Sequence, residues 1–524
     1  MPKQLIPTSV SAPAFFGVNT QRKSDILPFQ WATKADNCVI DDSGRIAARK
    51  GYQNVNDGVL GSTDTVRSIF EYIDASGNTL EIFAANNVIY KVSGDTPVDI
   101  SLVGGGGITA PTADNWKFQN FNGKVIGFQS GHSPIVMSTV GGNFTDISYT
   151  ANAPSSTDEG LASFGRIWNI DGVSLLYSST LDETNSIAGY GSFDLSSVWL
   201  SGMDIPVALA EFNGHLVVFG KQSIIIYSNP WSPATDMQVV ENIGGMGCIA
   251  RDSIQYVGDD ILFLSSQGVR SLGRTIQEKS MPIRVVSGNV NDELNALVNS
   301  ETLANIKSAY SKTDGFYILS LPTSNKTYYF DLRQPLQDGS YKTTIWQTSF
   351  TGMNVTTTNV LRLGTAGHIN TYQGHLDNVD STGTGGETYQ VVYESGWNDL
   401  DQPSVHKLPK RLAVLMLGGN GQTVVLKWAF DFVDTFTTFS RTIGDITFAE
   451  FNIAEFGEKW VTVEGGAVSV QADEYAGTAI YNRTKTPMSK SGQLVKFGIN
   501  ITIEGSAVAL QQIDMYSKFG RIAV

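Results

Sequence analysis

The chain has 524 residues, of which 41% are apolar and 16% charged, with 53 glycines and a net charge of −14. That length exceeds one compact core, so two or three domains are expected, and the acidic balance argues against a protein that grips nucleic-acid phosphates. Two cysteines, Cys38 and Cys248, supply neither a disulfide framework nor a metal cluster, and no 18-residue apolar run is present to span a membrane as a helix.

Residues 1–60 are turn-rich and carry seven basic against five acidic residues. Their opening, MPKQLIPTSVSAPAFFG, has only a short apolar stretch interrupted by proline and does not read as a signal peptide. The segment also contains NCVIDDSGRIAARKGYQ, with Arg45, Arg49 and Lys50 close together. These three read as solvated turn residues, as contacts to phosphate, or as partners for the acidic body of a neighbouring subunit.

From residue 61 to 384 one pattern recurs: an apolar strand, a small polar turn, then an alternating strand and another. The turns fall at Ser76-Gly77, Asn122-Gly123, Asp171-Gly172, Asn213-Gly214, Gly258-Asp259 and Asp314-Gly315, about 46, 49, 42, 45 and 56 residues apart, and residues 360–374 make a partial last copy. Asn-Gly and Asp-Gly between alternating apolar runs are strong hairpin signals, since both residues tolerate positive φ. A period of 40–50 residues matches a four-stranded propeller blade, which cannot bury both faces alone but does so when stacked in a ring. The expectation is all-β: a propeller of six or seven blades, some irregular, over 61–384. The alternative is unrelated hairpins in two sandwiches. One stretch, residues 291–310, has helical spacing through Leu294, Leu297, Val298 and Leu303. This middle region holds −13 of the charge, because residues 385–524 carry twelve basic and fifteen acidic residues.

After a GTGGE hinge at 383–387, residues 385–524 read as long strands with tight turns at Asn420-Gly421 and Glu504-Gly505, a β-sandwich or jelly-roll-like domain. Residues 1–60 would then close or flank the propeller.

Candidate chemistry is sparse. GGGG at 104–107 lacks the Gly-Lys-Ser/Thr of a phosphate loop, and IGGMGCIA at 243–250 falls between repeat copies. His132, His215, His368, His375 and His406 show no metal-ligand spacing, and Cys248 has no histidine partner. STVGGNFTDIS at 138–148 lacks the aspartate of a sialidase-type turn, and Asp41-Asp42 and Asp259-Asp260 are sequence neighbours that an extended strand points apart. No catalytic, cofactor-binding or metal-binding residue is assigned, and no enzyme is expected.

NCVIDDSGRIAARKGYQ resembles the segment near the start of nozzle-type tail proteins of short-tailed bacteriophages, also called tail tubular protein B or packaged-DNA stabilisation proteins. FNGHLVVFGKQSIIIYSN and the stretch GGMGCIARDSIQYVGDDILFLSSQGVRSL look like that family's central blades, and VKFGINITIEGSAVALQQIDMYSKFGRIA is similar to its closing strands. The resemblance implies a homohexameric ring in the virion tail, made in the host cytoplasm, docked to adaptor or portal-proximal rings and to tail fibre or needle proteins. It would conduct and gate double-stranded DNA during ejection without binding it specifically. Acidic walls suit such a passage, and the loop at 101–112 is a candidate gate element. The competing expectations are a receptor- or carbohydrate-binding propeller, which needs an exposed aromatic platform from residues such as Trp116, Trp168, Trp199 or Trp231, and a glycosidase-like propeller enzyme.

Overall fold

The computed structural model describes the chain except for residues 1–4, 58–59, 62–63, 156, 158, 185–189, 201, 279–284, 420, 434, 444–480 and 523–524. Among the described residues it is an all-β protein with seven small sheets arranged as propeller blades, followed by a two-sheet sandwich. Blades 1 to 4 occupy residues 68–99, 117–146, 159–194 and 206–244, each four antiparallel strands in sequence order. Blade 5 (255–271) has three strands, and the helix Leu272–Glu278 follows its last one. Blade 6 spans 307–346. Blade 7 has three strands at 352–372 and takes its outermost strand, Tyr52–Asn54, from the N-terminal segment.

The ring closes through its innermost strands. Ser68–Ile73 packs on Lys117–Phe121, that strand on Glu159–Ser163, and that one on Pro206–Phe212. Gln255–Val257 packs on Lys307–Ser311, then on Gly352–Val355, which returns to Ser68–Ile73. Blades 4 and 5 meet through Ala208, Ala210, Ile261 and Phe263 in one shared core. Strand alternation explains how one blade serves two neighbours. In His215–Gly220 and Ser223–Ser228, Val217, Phe219, Ile224 and Ile226 face the blade 5 side, while Leu216, Val218, Ile225 and Tyr227 face the blade 3 side. That is why these runs are apolar throughout rather than alternating with polar residues.

The inner hairpins use the turn chemistry expected of two-residue loops: Asn122 and Gly123 have φ of 49° and 71°, Asn213 and Gly214 of 50° and 77°. Blade 3 corrects the repeat register. Asp171-Gly172 lies between its second and third strands, and the inner hairpin is instead Phe164-Gly165, with φ of 56° and 67°. A phenylalanine in the left-handed region carries no turn signature, so the local sequence points to Asp171-Gly172 instead. The helical stretch is also shorter than its spacing suggests. The helix ends at Val298, and Lys307–Ser311 becomes the innermost strand of blade 6 because its alternate residues are needed in the ring core.

One sandwich sheet runs Tyr481–Pro487, Val405–Gly418, Val508–Ile522, Ile46–Ala48, Cys38–Ile40, with Ile6–Ser11 also on Val508–Ile522. The other runs Gly17–Val18, Trp31–Asp36, Tyr389–Ser395, Val495–Ile503, Thr423–Phe430, Thr437–Thr442. Ile46, Leu510, Tyr393 and Ile499 all lie in the one core cluster that joins them. Of the two turns read from the sequence, Gly505 takes φ of 85°, while Asn420 lies outside the described residues. The N-terminal segment is thus woven through both bodies. The second sheet is continuous with blade 6, because Gly17–Val18 and Trp31–Asp36 pair in parallel with Lys342–Trp346. Gly17 makes that junction possible: its φ is 82°, and a Cβ there would sit 2.1 Å from the Thr343 carbonyl oxygen.

Candidate functional site

The N-terminal motif builds a structural staple. Arg49 is 2% exposed. Its guanidinium donates to both carboxylate oxygens of Asp377 at 2.7 and 2.5 Å, donates to the Lys50 carbonyl at 3.0 Å, and stacks 4.2 Å from the Tyr389 ring centroid. Burial disfavours its charge, but Asp377 overcomes this and holds the guanidinium above its ordinary range. Arg45 pairs with Asp41 at 2.9 Å, and Lys50 lies 3.8 Å from Asp314. The reading of these cations as contacts to a neighbouring subunit is therefore corrected for Arg49, which is satisfied inside its own chain.

A second cluster sits where the innermost strands begin. Arg251 and Asp252 precede blade 5, Lys307 and Glu159 open the inner strands of blades 6 and 3, and Asn115 precedes that of blade 2. Arg251 donates to the Asn115 carbonyl at 3.1 Å and to Asp252 at 2.9 Å, and lies 3.7 Å from Glu159. Lys307 donates to Asp252 at 2.5 Å and to the Asn115 side chain. Blades 2 and 5, and blades 2 and 6, are three positions apart in a seven-membered ring, so these bonds cross the propeller axis and fill it at this end. Burial opposes the Asp252 charge, but Arg251 and Lys307 prevail and hold its carboxyl far below the usual range. Burial outweighs Asp252 at Lys307 and pushes its ammonium down to about 8. Sequence reasoning missed this cluster, since its members lie up to 192 residues apart. Glu159 and Asp252 are two carboxylates converging on a propeller axis; Glu159 faces Arg251, and Asp252 faces Arg251 and Lys307.

The third feature is a groove of about 480 Å³ on the opposite face, between blades 3 and 4. The hairpins of both blades form it: Arg166, Tyr177 and Ser178 from one side, Trp231 to Thr235 from the other. Of the four tryptophans considered as a platform, Trp116, Trp168 and Trp199 are core residues at 5% exposure or less, whereas Trp231 is 65% exposed. Its ring meets Phe164 edge to face with centroids 5.3 Å apart.

The remaining candidates are dispersed. Cys248 is buried, its thiol pushed up to about 12 by that burial, and donates to the Ala250 carbonyl at 3.2 Å; Cys38 is also buried and unpaired with it. Gly247 lies so close to blade 4 that a Cβ would be 2.1 Å from the Gly220 carbonyl oxygen, and Gly245 takes φ of 79°, so local geometry accounts for both glycines. His132 is buried against Trp116, His368 sits 2.8 Å from the Asn56 carbonyl oxygen, and burial lowers the His375 pKa. The loop at 101–112 leaves the outermost strand of blade 1, with Ser101 and Ile108 as buried anchors. Asp42 pairs with Arg333, and Asp260 accepts from the Gly273 amide at 2.8 Å. Among the described residues no group of three His, Cys, Asp or Glu side chains is placed to hold a metal, and no helix is long and apolar enough to cross a membrane.

No protein-family profile and no curated protein sequence matches the chain. Similar solved structures include the extracellular domain of the hybrid two-component system protein BT3049 from B. thetaiotaomicron, at 15% identity and TM-score 0.38 over 60% of this chain and 41% of that one. The WD40 β-propeller domain of Doa1 is similar at 9% identity and TM-score 0.37 over 61% of this chain and 96% of that one. The β-propeller domain of Cps50 (Swd1) from Myceliophteria thermophila is similar at 10% identity and TM-score 0.35 over 59% and 97%. The chain spans less than half the length of the first of these.

Proposed function

We propose that this chain is a structural subunit of the tail nozzle of a short-tailed bacteriophage, a ring-forming propeller through whose assembly the genome leaves. The observation that carries this reading is the lacing of residues 31–54. The stretch that resembles the nozzle family supplies two sandwich strands, the Arg49 staple and the closing strand of blade 7. Its charges pair within the chain, Arg49 with Asp377 above all, and so serve the rigidity that a ring subunit requires. The charge of −14 favours sliding of a polyanion over adhesion. Negative-stain imaging and native mass measurement of the purified chain test this: six copies around an axial passage are expected, and a monomer at micromolar concentration, alone and with tail adaptor protein, refutes it.

A second reading, a propeller that recognises a surface receptor, is favoured by one observation, the exposed Trp231 beside its groove. Retention of the protein on printed bacterial surface polysaccharides is the corresponding test.

A further inference from the structure

We infer that the groove between blades 3 and 4 is a binding site for a neutral hexopyranose unit of a glycan, with Trp231 as its stacking platform and Arg166 as its polar anchor. This rests on the second reading above and holds whether or not the chain forms rings. The size fits, since about 480 Å³ accommodates one or two sugar rings. The indole of Trp231 is exposed yet held in place rather than free, as a stacking platform must be. Phe164 supports it edge to face, and Arg166 donates weakly to its carbonyl oxygen at 3.5 Å.

The lining around it is polar but uncharged save for one group. Ser178, Ser179, Ser232 and Thr235 offer hydroxyls, and among the described residues Arg166 is the one charged residue in the wall. Arg166 is oriented by the Ser178 carbonyl oxygen at 2.7 Å and the Trp231 carbonyl oxygen at 3.5 Å, which hold its guanidinium at the seam of the two blades. One flat apolar face beside several hydroxyls and a fork of N–H donors complements a pyranose, whose C–H face is apolar and whose rim is hydroxylated.

Placement agrees with the role. In a seven-bladed ring the seam of blades 3 and 4 lies opposite blade 7, and the sandwich joins the propeller at blades 6 and 7. The groove is therefore clear of the sandwich.

The test uses the full chain and two probes: the printed polysaccharides, and methyl gluco-, galacto- and mannopyranosides followed by saturation-transfer NMR. The expected result is retention on at least one polysaccharide, competed by at least one methyl pyranoside. Trp231→Ala should weaken binding about tenfold or more, as expected from losing on the order of 50 Å² of apolar contact. Trp231→Phe should retain part of the affinity, and Arg166→Met should lose it while the fold, followed by circular dichroism, is kept. Polysaccharide binding that Trp231→Ala leaves unchanged overturns the site but not the receptor reading. No binding by the wild-type chain to any polysaccharide or pyranoside overturns both.

Discussion

Replacing Arg49 with methionine keeps the length of the side chain and removes its charge. Asp377 is 8% exposed and would be left buried without a counter-ion. Removing one partner of a buried pair costs about 3–5 kcal/mol, chiefly because the survivor stays desolvated. The geometry places this case toward the upper end: both guanidinium–carboxylate bonds are short, at 2.7 and 2.5 Å, and the Tyr389 stack is lost too. With a urea dependence of about 3 kcal/mol per molar, the unfolding midpoint should fall by roughly 1.3–1.7 M. Trp346, whose ring centroid lies 6.0 Å from the Arg49 guanidinium, is one of the nine tryptophans whose summed fluorescence follows the transition. Arg49→Lys keeps the charge but loses the fork and the stack, and should fall by about half as much. In the cycle with Asp377→Asn, the double variant should be more stable than the sum of the two losses predicts, by roughly 1–3 kcal/mol. A midpoint shift under about 0.3 M for Arg49→Met, or strict additivity in the cycle, refutes the staple.

Asp252→Asn should lower the melting temperature at pH 7. Because the folded carboxyl is held far below its ordinary value, its contribution is complete above about pH 4, starts to fall below that, and is lost in full only as pH drops through the much lower folded value. The gap between wild type and variant should therefore narrow at pH 3, and a constant gap contradicts the charge argument. Gly17→Ala drives a Cβ into the Thr343 carbonyl at a positive φ and should cost at least about 2 kcal/mol. Calorimetry should then resolve propeller and sandwich as separate transitions, and a wild-type trace disproves the junction's role. Trp231→Ala, at an exposed position, should change stability by no more than about 0.5 kcal/mol, so a larger loss in chemical denaturation would reassign that residue to packing.

The propeller was legible where turn chemistry is local. Asn122-Gly123 and Asn213-Gly214 mark inner hairpins because positive φ restricts residue choice there. Blade 3 was misregistered because Phe164 enters the left-handed region without a turn residue's signature, tertiary packing overriding local preference. The number of blades was open because blade 7 borrows Tyr52–Asn54, and a pairing between Tyr52 and Tyr372 has no local trace. The sandwich strands were visible as long apolar alternations, but not the weaving of the N-terminal segment between them. The axial cluster and the groove were invisible for the same reason: each gathers residues from several blades. Trp231 was among four tryptophans of equal standing, and only burial separates it from the rest.

The axial cluster also constrains where a polyanion could pass. Bonds from blade 5 and blade 6 to Asn115 of blade 2 fill the propeller's own axis, so on the conduit reading the passage lies between copies, not through one. The same cluster bears on surface charge. Arg251 and Lys307 are held inside the ring with Asp252, Arg362 lies 2.7 Å from Glu81, and Lys124 pairs with Glu183. Each such pairing withdraws a cation together with only one carboxylate from a region that carries thirteen more acids than bases. The excess is thus displaced to the solvent-facing surface. Any face of the propeller that lined a passage would carry part of it, and phosphates would meet repulsion that salt screens within about 10 Å at 0.1 M. Genome release through the assembled ring should then slow when exposed propeller carboxylates are neutralised and should do so more at low salt than at high; a rate indifferent to both would leave the acidity without a role in transport.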